Sequence, residues 1–325
     1  MGAIFSSFVD QTWFIPSPPL TETTLPDQSG KVHIITGGYA GVGYALTSLL
    51  YTCNATVYIA GRSSSKAETA IAAINNEVRK SDGRIEVLQL DLADLESVRR
   101  AVGVFLGREG RLDVLVNNAG IMATPRWRES VQGHELQIGT NCLGPFLLTQ
   151  LLLPLLQKTA LVVPTGSVRV AWAASLVIDI SAPSGGVVLD AGGAPKVHAT
   201  SGINYGQSKS GNVMLAAEMV RRCGGEGVVS FAFNPGHLRM ELQRHSNFLQ
   251  KAMGYPAKLG AYTELFAGWS SEITLEKNGA YVIPWGRIGT YNSALRKAVL
   301  SKEQGGDGTA ERFLEWCERE TREYM

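Results

Sequence analysis

Several things are scarce in this chain of 325 residues, and each scarcity removes a class of protein. Cysteine occurs only four times, as Cys53, Cys142, Cys223 and Cys317, with no Cys-x-x-Cys pair. That spacing fits neither a disulfide scaffold nor a zinc site and leaves four free thiols in a reducing compartment. The five histidines (His33, His134, His198, His237, His245) include no His-Glu-x-x-His or other paired spacing, which argues against a metal enzyme. Charge is sparse at 18% and balanced, 30 basic against 29 acidic side chains, so no electrostatic pull toward nucleic acid is expected. Long apolar runs are missing too. The strongest, Cys142 to Leu156, is short for a transmembrane helix and carries Thr149, Gln150 and Pro154. No Lys or Arg precedes Lys31, so a secretory leader is not expected, and the default location is cytoplasmic.

Glycine is abundant, with 36 of 325 residues and no Gly-X-Y period. Average usage is about 7%, so the excess points to tight turns and close backbone approaches rather than collagen. The first 29 residues form an irregular arm. Its opening, Met1-Gly2-Ala3-Ile4-Phe5-Ser6, matches an N-myristoylation pattern, although the plainer reading is an apolar arm from Ile4 to Ile15 docked on the body.

From residue 30 to 325 the pattern alternates. Strands are expected at Val32–Ile35, Ala55–Ala60, Ile85–Leu90, Val114–Val116, Val168–Ala174 and Val228–Phe233. Helices are expected at Tyr44–Tyr51, 63–80, Leu95–Leu106, about Val131–Gln157, about Ile203–Arg222 and Ala310–Glu323. Continuous β-branched runs separated by helical periods predict an α/β chain, a doubly wound parallel sheet in a three-layer α/β/α single domain. A soft insert, 181–202, is rich in Gly, Ala, Ser and Pro, and is expected to move over the rim of the site. A substrate-side region is expected from about residue 237.

After the first strand comes Thr36-Gly37-Gly38-Tyr39-Ala40-Gly41-Val42-Gly43. Between a buried strand and a helix, such a loop exposes backbone N–H groups to a pyrophosphate, with Gly37, Gly41 and Gly43 giving the turn and close approach. At the end of strand two, Ala60-Gly61-Arg62-Ser63 offers no carboxylate for a ribose 2′-hydroxyl. Arg62 instead suits a 2′-phosphate, so NADP(H) is preferred over NAD(H). Asp91 stands where it could accept from an adenine amino group or cap the following helix. Tyr205-Gly206-Gln207-Ser208-Lys209 sets a phenol and an ammonium on one helix face, where the cation would favour the phenolate.

Together these pieces resemble the short-chain dehydrogenase/reductase family. The resemblance runs over about residues 30–240 and adds Asn117-Asn118-Ala119-Gly120, Asn141, Ser175 and Asn234-Pro235-Gly236 in family order. Pro-Asp-Gln-Ser-Gly before strand one and Asn-Gly-Ala-Tyr-Val-Ile-Pro-Trp-Gly at 278–286 are similar to fungal members, many serving secondary metabolism. The family implies a Rossmann-type fold and hydride exchange between NADP(H) and a carbonyl or secondary alcohol. It implies Tyr205 as proton donor or acceptor, and Lys209 holding the nicotinamide ribose and lowering the phenol pKa. Ser175 would polarise the carbonyl, and Asn141 would hold a relay water. Cofactor contacts are implied at Thr36, Gly37, Gly41, Val42, Gly43, Arg62, Asp91, Asn118, Lys209 and Pro235.

Three departures stand out. Ala174-Ser175 replaces a serine pair, the Ser175-to-Tyr205 spacing is long, and Met240 replaces a usual Thr. Met240, Leu242, Phe248, Tyr255, Leu259, Tyr262 and Phe266 favour a mainly apolar or aromatic ketone or alcohol as substrate. Arg239, Arg244 and His245 keep a carboxylate open. Two other readings are an NADP(H)-binding regulator without turnover, and an epimerase or dehydratase of the extended branch. The glycine spacing argues against the latter. A homodimer through helices 131–157 and 203–222, or a monomer, is expected; nucleic acid is not.

Overall fold

The computed structural model describes residues 8–239 and 254–325. Its centre is one eight-stranded sheet. The strands are β1 (Val32–Thr36), β2 (Thr56–Gly61), β3 (Arg84–Gln89), β4 (Val114–Asn117), β5 (Val168–Ala173), β6 (Val228–Phe233), β7 (Tyr281–Ile283) and β8 (Arg287–Gly289). Between them run α1 (Gly41–Thr52), α2 (Ser64–Glu77), α3 (Leu95–Leu106), α4 (Leu136–Ala160), the short α5 (Val177–Ile180) and α6 (Ser201–Cys223). The chain then adds α7 (Ala257–Trp269), α8 (Ser293–Val299) and α9 (Thr309–Thr321).

The sheet order is β3-β2-β1-β4-β5-β6-β7-β8. Seven strands are parallel, as Val32-His33-Ile34-Ile35 led one to expect, because both faces of such a strand are buried. The chain reverses direction around β1, which pairs with β2 on one side and β4 on the other. Crevices at such a switch point, beyond the carboxyl ends of the strands, are where α/β sheets take ligands. The last strand departs from the all-parallel expectation: β8 runs antiparallel to β7 across the turn Pro284-Trp285-Gly286. Three residues can close a hairpin but cannot span a crossover.

Two apolar layers hold the sheet. On one side Ile34, Leu115 and Trp172 pack against Leu147 and Leu148 of α4 and Met214 of α6. On the other, Ile35, Val116 and Phe233 meet Leu46 of α1 and Leu265 of α7. Among the described residues, α4 is the one helix long and apolar enough to cross a membrane, and most of it is buried inside the molecule. It starts later than the expected Val131, because residues 129–135 form a tight turn. Glu129 bridges Glu135, and Gly133 has φ +80°, which no α-helix accepts.

Of the two helices expected to serve self-association, α6 is packed against by α9 along one face, and α4 only at residues 139–143. Phe313 of α9 wedges where a Cβ on Gly211 would come within 3.0 Å of its ring, and Trp316 stacks beside it. Arg222 of α6 pairs with Glu318. The sequence expectation for α9 itself holds, since Phe313, Leu314 and Trp316 share its buried face.

Candidate active site

The Gly-rich loop leaves β1 at Thr36, expected among the cofactor contacts. Thr36 is fully buried. Its hydroxyl donates to the Val116 carbonyl at 3.2 Å and accepts from the Ala119 N–H at 2.9 Å. It therefore staples the β1 loop to the β4 loop rather than facing outward. Asn118 adds a second staple, Nδ2 to the Thr36 carbonyl at 2.8 Å. Gly43 fits into the gap these make, since a Cβ there would lie 2.7 Å from both Asn118 Nδ2 and the Gly37 carbonyl oxygen. Gly37 and Gly41 both take left-handed φ, +70° and +55°, and turn the chain into α1. The N-terminus of α1 carries no side-chain cap and no acid in its first turn. Its free N–H groups and positive dipole end suit a pyrophosphate, so the loop fits a dinucleotide. The Val42 side chain is buried in the α1–α7 layer, so its contribution there is its backbone.

At the end of β2, Gly61 is filled from outside by the Tyr39 ring: a Cβ would fall 2.2 Å from Tyr39 Cε1. Arg62 follows, exposed, beside Ser63, whose hydroxyl caps α2 by accepting from the Lys66 N–H. No carboxylate stands at this strand end. Asp91, half-buried after β3, accepts from the Ala93 N–H at 3.0 Å. The cap of α3 belongs to Asp94, which accepts from the Glu96 N–H at 3.1 Å.

Asn141 sits inside α4 on a π-type turn, Gly139–Leu143. Such turns mark functional sites because the extra residue re-aims a side chain. The Asn141 amide grips Ile121 on both sides, Oδ1 accepting its N–H at 2.9 Å and Nδ2 donating to its carbonyl at 3.0 Å. Nδ2 also donates to Ser208 Oγ at 2.9 Å. Both amide hydrogens are thus used within the protein. The side chain thereby ties the β4 loop to α6.

At the end of β5 the chemistry-bearing residues converge. Ser175 stands beside the Tyr205 hydroxyl and favours its ionised form. Lys209 lies 5.7 Å from the Tyr205 ring centre and donates to the Ala173 carbonyl at 2.9 Å. Gly120 keeps the approach open, because a Cβ there would stand 3.1 Å from Lys209 Nζ and 3.2 Å from Asn141 Oδ1. Burial pushes the Tyr205 phenol up to about 12 against the opposing effect of Ser175. Burial also pulls the Lys209 ammonium down to about 8. Burial thus acts against the lowering of the phenol expected from Lys209.

Sequence reasoning passed over three residues. Asn212 donates to the same Ala173 carbonyl at 2.8 Å; its place three residues beyond Lys209 on one helix face was the available signal. Glu264 of α7 is fully buried with neither oxygen hydrogen-bonded among the described residues, and burial raises its pKa well above the ordinary carboxylate range, with Lys209 opposing. Nothing in the sequence of α7 pointed to it. Gln11, from the N-terminal arm, bonds Asn234 beside Pro235.

Of the expected substrate wall, Phe266 lies in the core, 2% exposed against Gly286, and the Tyr262 hydroxyl donates to Glu22. Tyr255 packs edge-on against Trp285 at 5.0 Å. Met240, Leu242, Arg244, His245 and Phe248 lie outside the described residues, as does the stretch Met1–Ser6. The glycine-rich segment 181–202 is hydrogen-bonded to α6. Gln207 of α6 accepts from the Val188 N–H at 3.0 Å and donates to the Lys196 carbonyl at 2.9 Å, while Asn204 accepts from the His198 N–H at 2.8 Å.

Comparison with known proteins agrees with this geometry. Residues 31–173 match the family model described as short chain dehydrogenase. A short-chain dehydrogenase/reductase of Phomopsis amygdali is 41% identical, covering 99% of this chain and 100% of its own length. One of Neocamarosporium betae is 40% identical over 96% of this chain and 92% of its own length. A crystal structure of an uncharacterised protein from Mycobacterium paratuberculosis superposes with TM-score 0.66 at 28% identity, covering 93% of this chain and 97% of its own.

Proposed function

This chain belongs to the short-chain dehydrogenase/reductase family of nicotinamide-dependent oxidoreductases, and we propose that it uses NADP(H) to reduce a ketone on a mainly apolar or aromatic small molecule. The observation that carries the reading is the convergence of Ser175, Tyr205 and Lys209 at the end of β5, facing the Gly120 opening beside the glycine loop. When bound, the nicotinamide supplies the hydride. Ser175 orients the carbonyl oxygen toward the phenol. Tyr205 gives its proton to that oxygen as the alcohol O–H forms, and Lys209 stabilises the phenolate left behind.

A phenol near 12 is protonated throughout the neutral range, so the resting site is loaded for reduction. Lys209, near 8, keeps most of its charge only below that pH. The proposed 2′-phosphate partner is Arg62, exposed at the end of β2 with no acid beside it in the chain. Asn141 and Asn118 act as fasteners of the floor rather than as reacting groups. Relatives in fungi such as Phomopsis amygdali and Armillaria gallica suit small-molecule secondary metabolism as the setting.

The test is NADPH consumption by the purified protein across a panel of aromatic and aliphatic ketones, with NADH in parallel. Turnover with NADPH preferred supports the reading. Tight NADPH binding without oxidation across the panel would overturn it in favour of a regulator, and NADH preference would overturn the cofactor assignment.

A further inference from the structure

The segment that precedes the family-matched span reaches across the molecule to the far side of the site. Residues 8–12 form a helical turn, with Gln11 only 2% and Thr12 only 7% exposed. Three bonds fix it. Asn234 Nδ2 donates to Gln11 Oε1 at 2.8 Å. The Tyr255 hydroxyl donates to the Thr12 carbonyl at 3.2 Å. Arg287 donates to the Asp10 carboxylate and to its carbonyl, each at 2.7 Å.

The Asn234 contact has a defined polarity. A backbone N–H can only donate, and the Gly236 N–H points at Asn234 Oδ1 from 3.0 Å. The amide must therefore present its oxygen to the turn and its NH2 to the arm. Only an acceptor at position 11 completes this arrangement, inside a site where Asn234 is 2% exposed. Gly236, at φ +98°, leaves no room for a side chain: a Cβ would lie 2.6 Å from the Trp285 ring. The turn Asn234-Pro235-Gly236 is thus held by Trp285 on one side and, through Asn234, by Gln11 on the other. The neighbouring stem is bound into the same unit, since Leu238 bridges Tyr255 and Tyr255 rests on Trp285.

We infer that Gln11 is a positioning residue for the dinucleotide: by fixing the Asn234 amide it sets the Asn234-Pro235-Gly236 turn against which the nicotinamide end is held. This rests on the dinucleotide reading above. Gln11 touches no reacting atom, so the effect falls on cofactor affinity and spares the proton-transfer group.

The test uses the full-length chain and NADPH itself, with Kd from fluorescence titration and steady-state kinetics on an accepted ketone. Gln11→Leu keeps the volume and removes the acceptor. It should raise Kd and KM for NADPH roughly tenfold, with kcat at saturating NADPH held within about twofold. Gln11→Glu keeps an acceptor and should restore near-native affinity. Phe14→Ala, on the same arm at a side chain 94% exposed, should change neither. Unchanged NADPH affinity in Gln11→Leu, or equal damage from Gln11→Glu, overturns the inference. Should Gln11→Leu fail to fold, Asp10→Ala removes the carboxylate part of the Arg287 anchor and should raise Kd by about threefold; no rise is the overturning result. If the wild-type chain binds no dinucleotide, the functional reading fails, and that failure is visible before any variant is compared.

Discussion

The two halves of the sheet are built by different means. The β3-β2-β1-β4 half carries the glycine loop, and its decisive contacts join loops at adjacent strand ends: Thr36 to Val116 and Ala119, and Gly43 against Gly37 and Asn118. The β5-β6-β7-β8 half carries the proton-transfer residues and is closed by contacts between distant parts of the chain, Gln11 to Asn234 and Asp10 to Arg287. The first half is a binding frame whose geometry follows from short, glycine-dependent turns. The second is a reactive edge whose geometry depends on segments that only folding brings together. Damage to the first should appear in cofactor affinity; damage to the second should appear in turnover or in the grip on its far wall.

The largest effect belongs to the reactive edge. Tyr205→Phe removes the proton donor and should cut kcat for ketone reduction by about 10²–10⁴-fold, with NADPH Kd little changed. Full turnover in that variant would show that Tyr205 does not donate the proton. In the frame, Gly43→Ala forces a methyl to within 2.7 Å of the Gly37 carbonyl oxygen. The backbone cannot give way as a flexible side chain would, so NADPH KM should rise roughly tenfold or more and Tm should fall by several degrees. A normal KM would mean that the loop adapts. Arg62→Glu is a surface change. It should weaken NADPH roughly tenfold or more while leaving kcat and Tm close to native, measured against NADH in parallel. An unchanged ratio of the two cofactors would remove Arg62 from the 2′-phosphate role.

The effect that should leave neutral-pH turnover untouched is on stability alone and lies under the frame, at His33. This side chain is fully buried on β1 with both ring nitrogens unbonded among the described residues, and burial lowers its pKa from 6.5 to about 3. The unfolded chain therefore takes up a proton between those values and the folded chain does not. The His33 contribution is complete above pH 6.5 and is lost progressively as pH falls toward 3, up to about 5 kcal/mol. His33→Phe should flatten the acid limb of a stability–pH curve without altering turnover at neutral pH. An unchanged acid limb would place the loss elsewhere. Glu264, whose folded pKa is raised, acts with the opposite sign: its contribution falls as pH rises past the ordinary carboxylate range.

Much of the fold was legible because its signals are local. Leu95–Leu106 and Val228–Phe233 stand in the structure with the bounds their patterns predict, since each is set by the periodicity of the apolar residues within it. Strands β7 and β8 were not legible. At three residues each they carry too little pattern, and they exist because β6 offers an edge and Phe266 seats the Gly286 turn. The start of α4 was misplaced for a related reason: apolar spacing at Val131 suggested a helix, and the left-handed Gly133 prevents it.

The site divides in the same way. Tyr205, Lys209 and the glycine loop were visible because their chemistry depends on residue type and short spacing along one helix or one turn. Whether those residues act as their types suggest was decided by packing. The sequence determined that a phenol and an ammonium share a helix face and that a glycine turn opens onto a helix N-terminus. Only the tertiary structure decided that burial holds the phenol near 12, that Thr36 faces inward, that α9 packs on α6, and that Gln11 reaches Asn234. Spacing along a chain fixes which groups are neighbours within one element. Desolvation and long-range contact depend on what the rest of the chain brings alongside, and no local pattern encodes that.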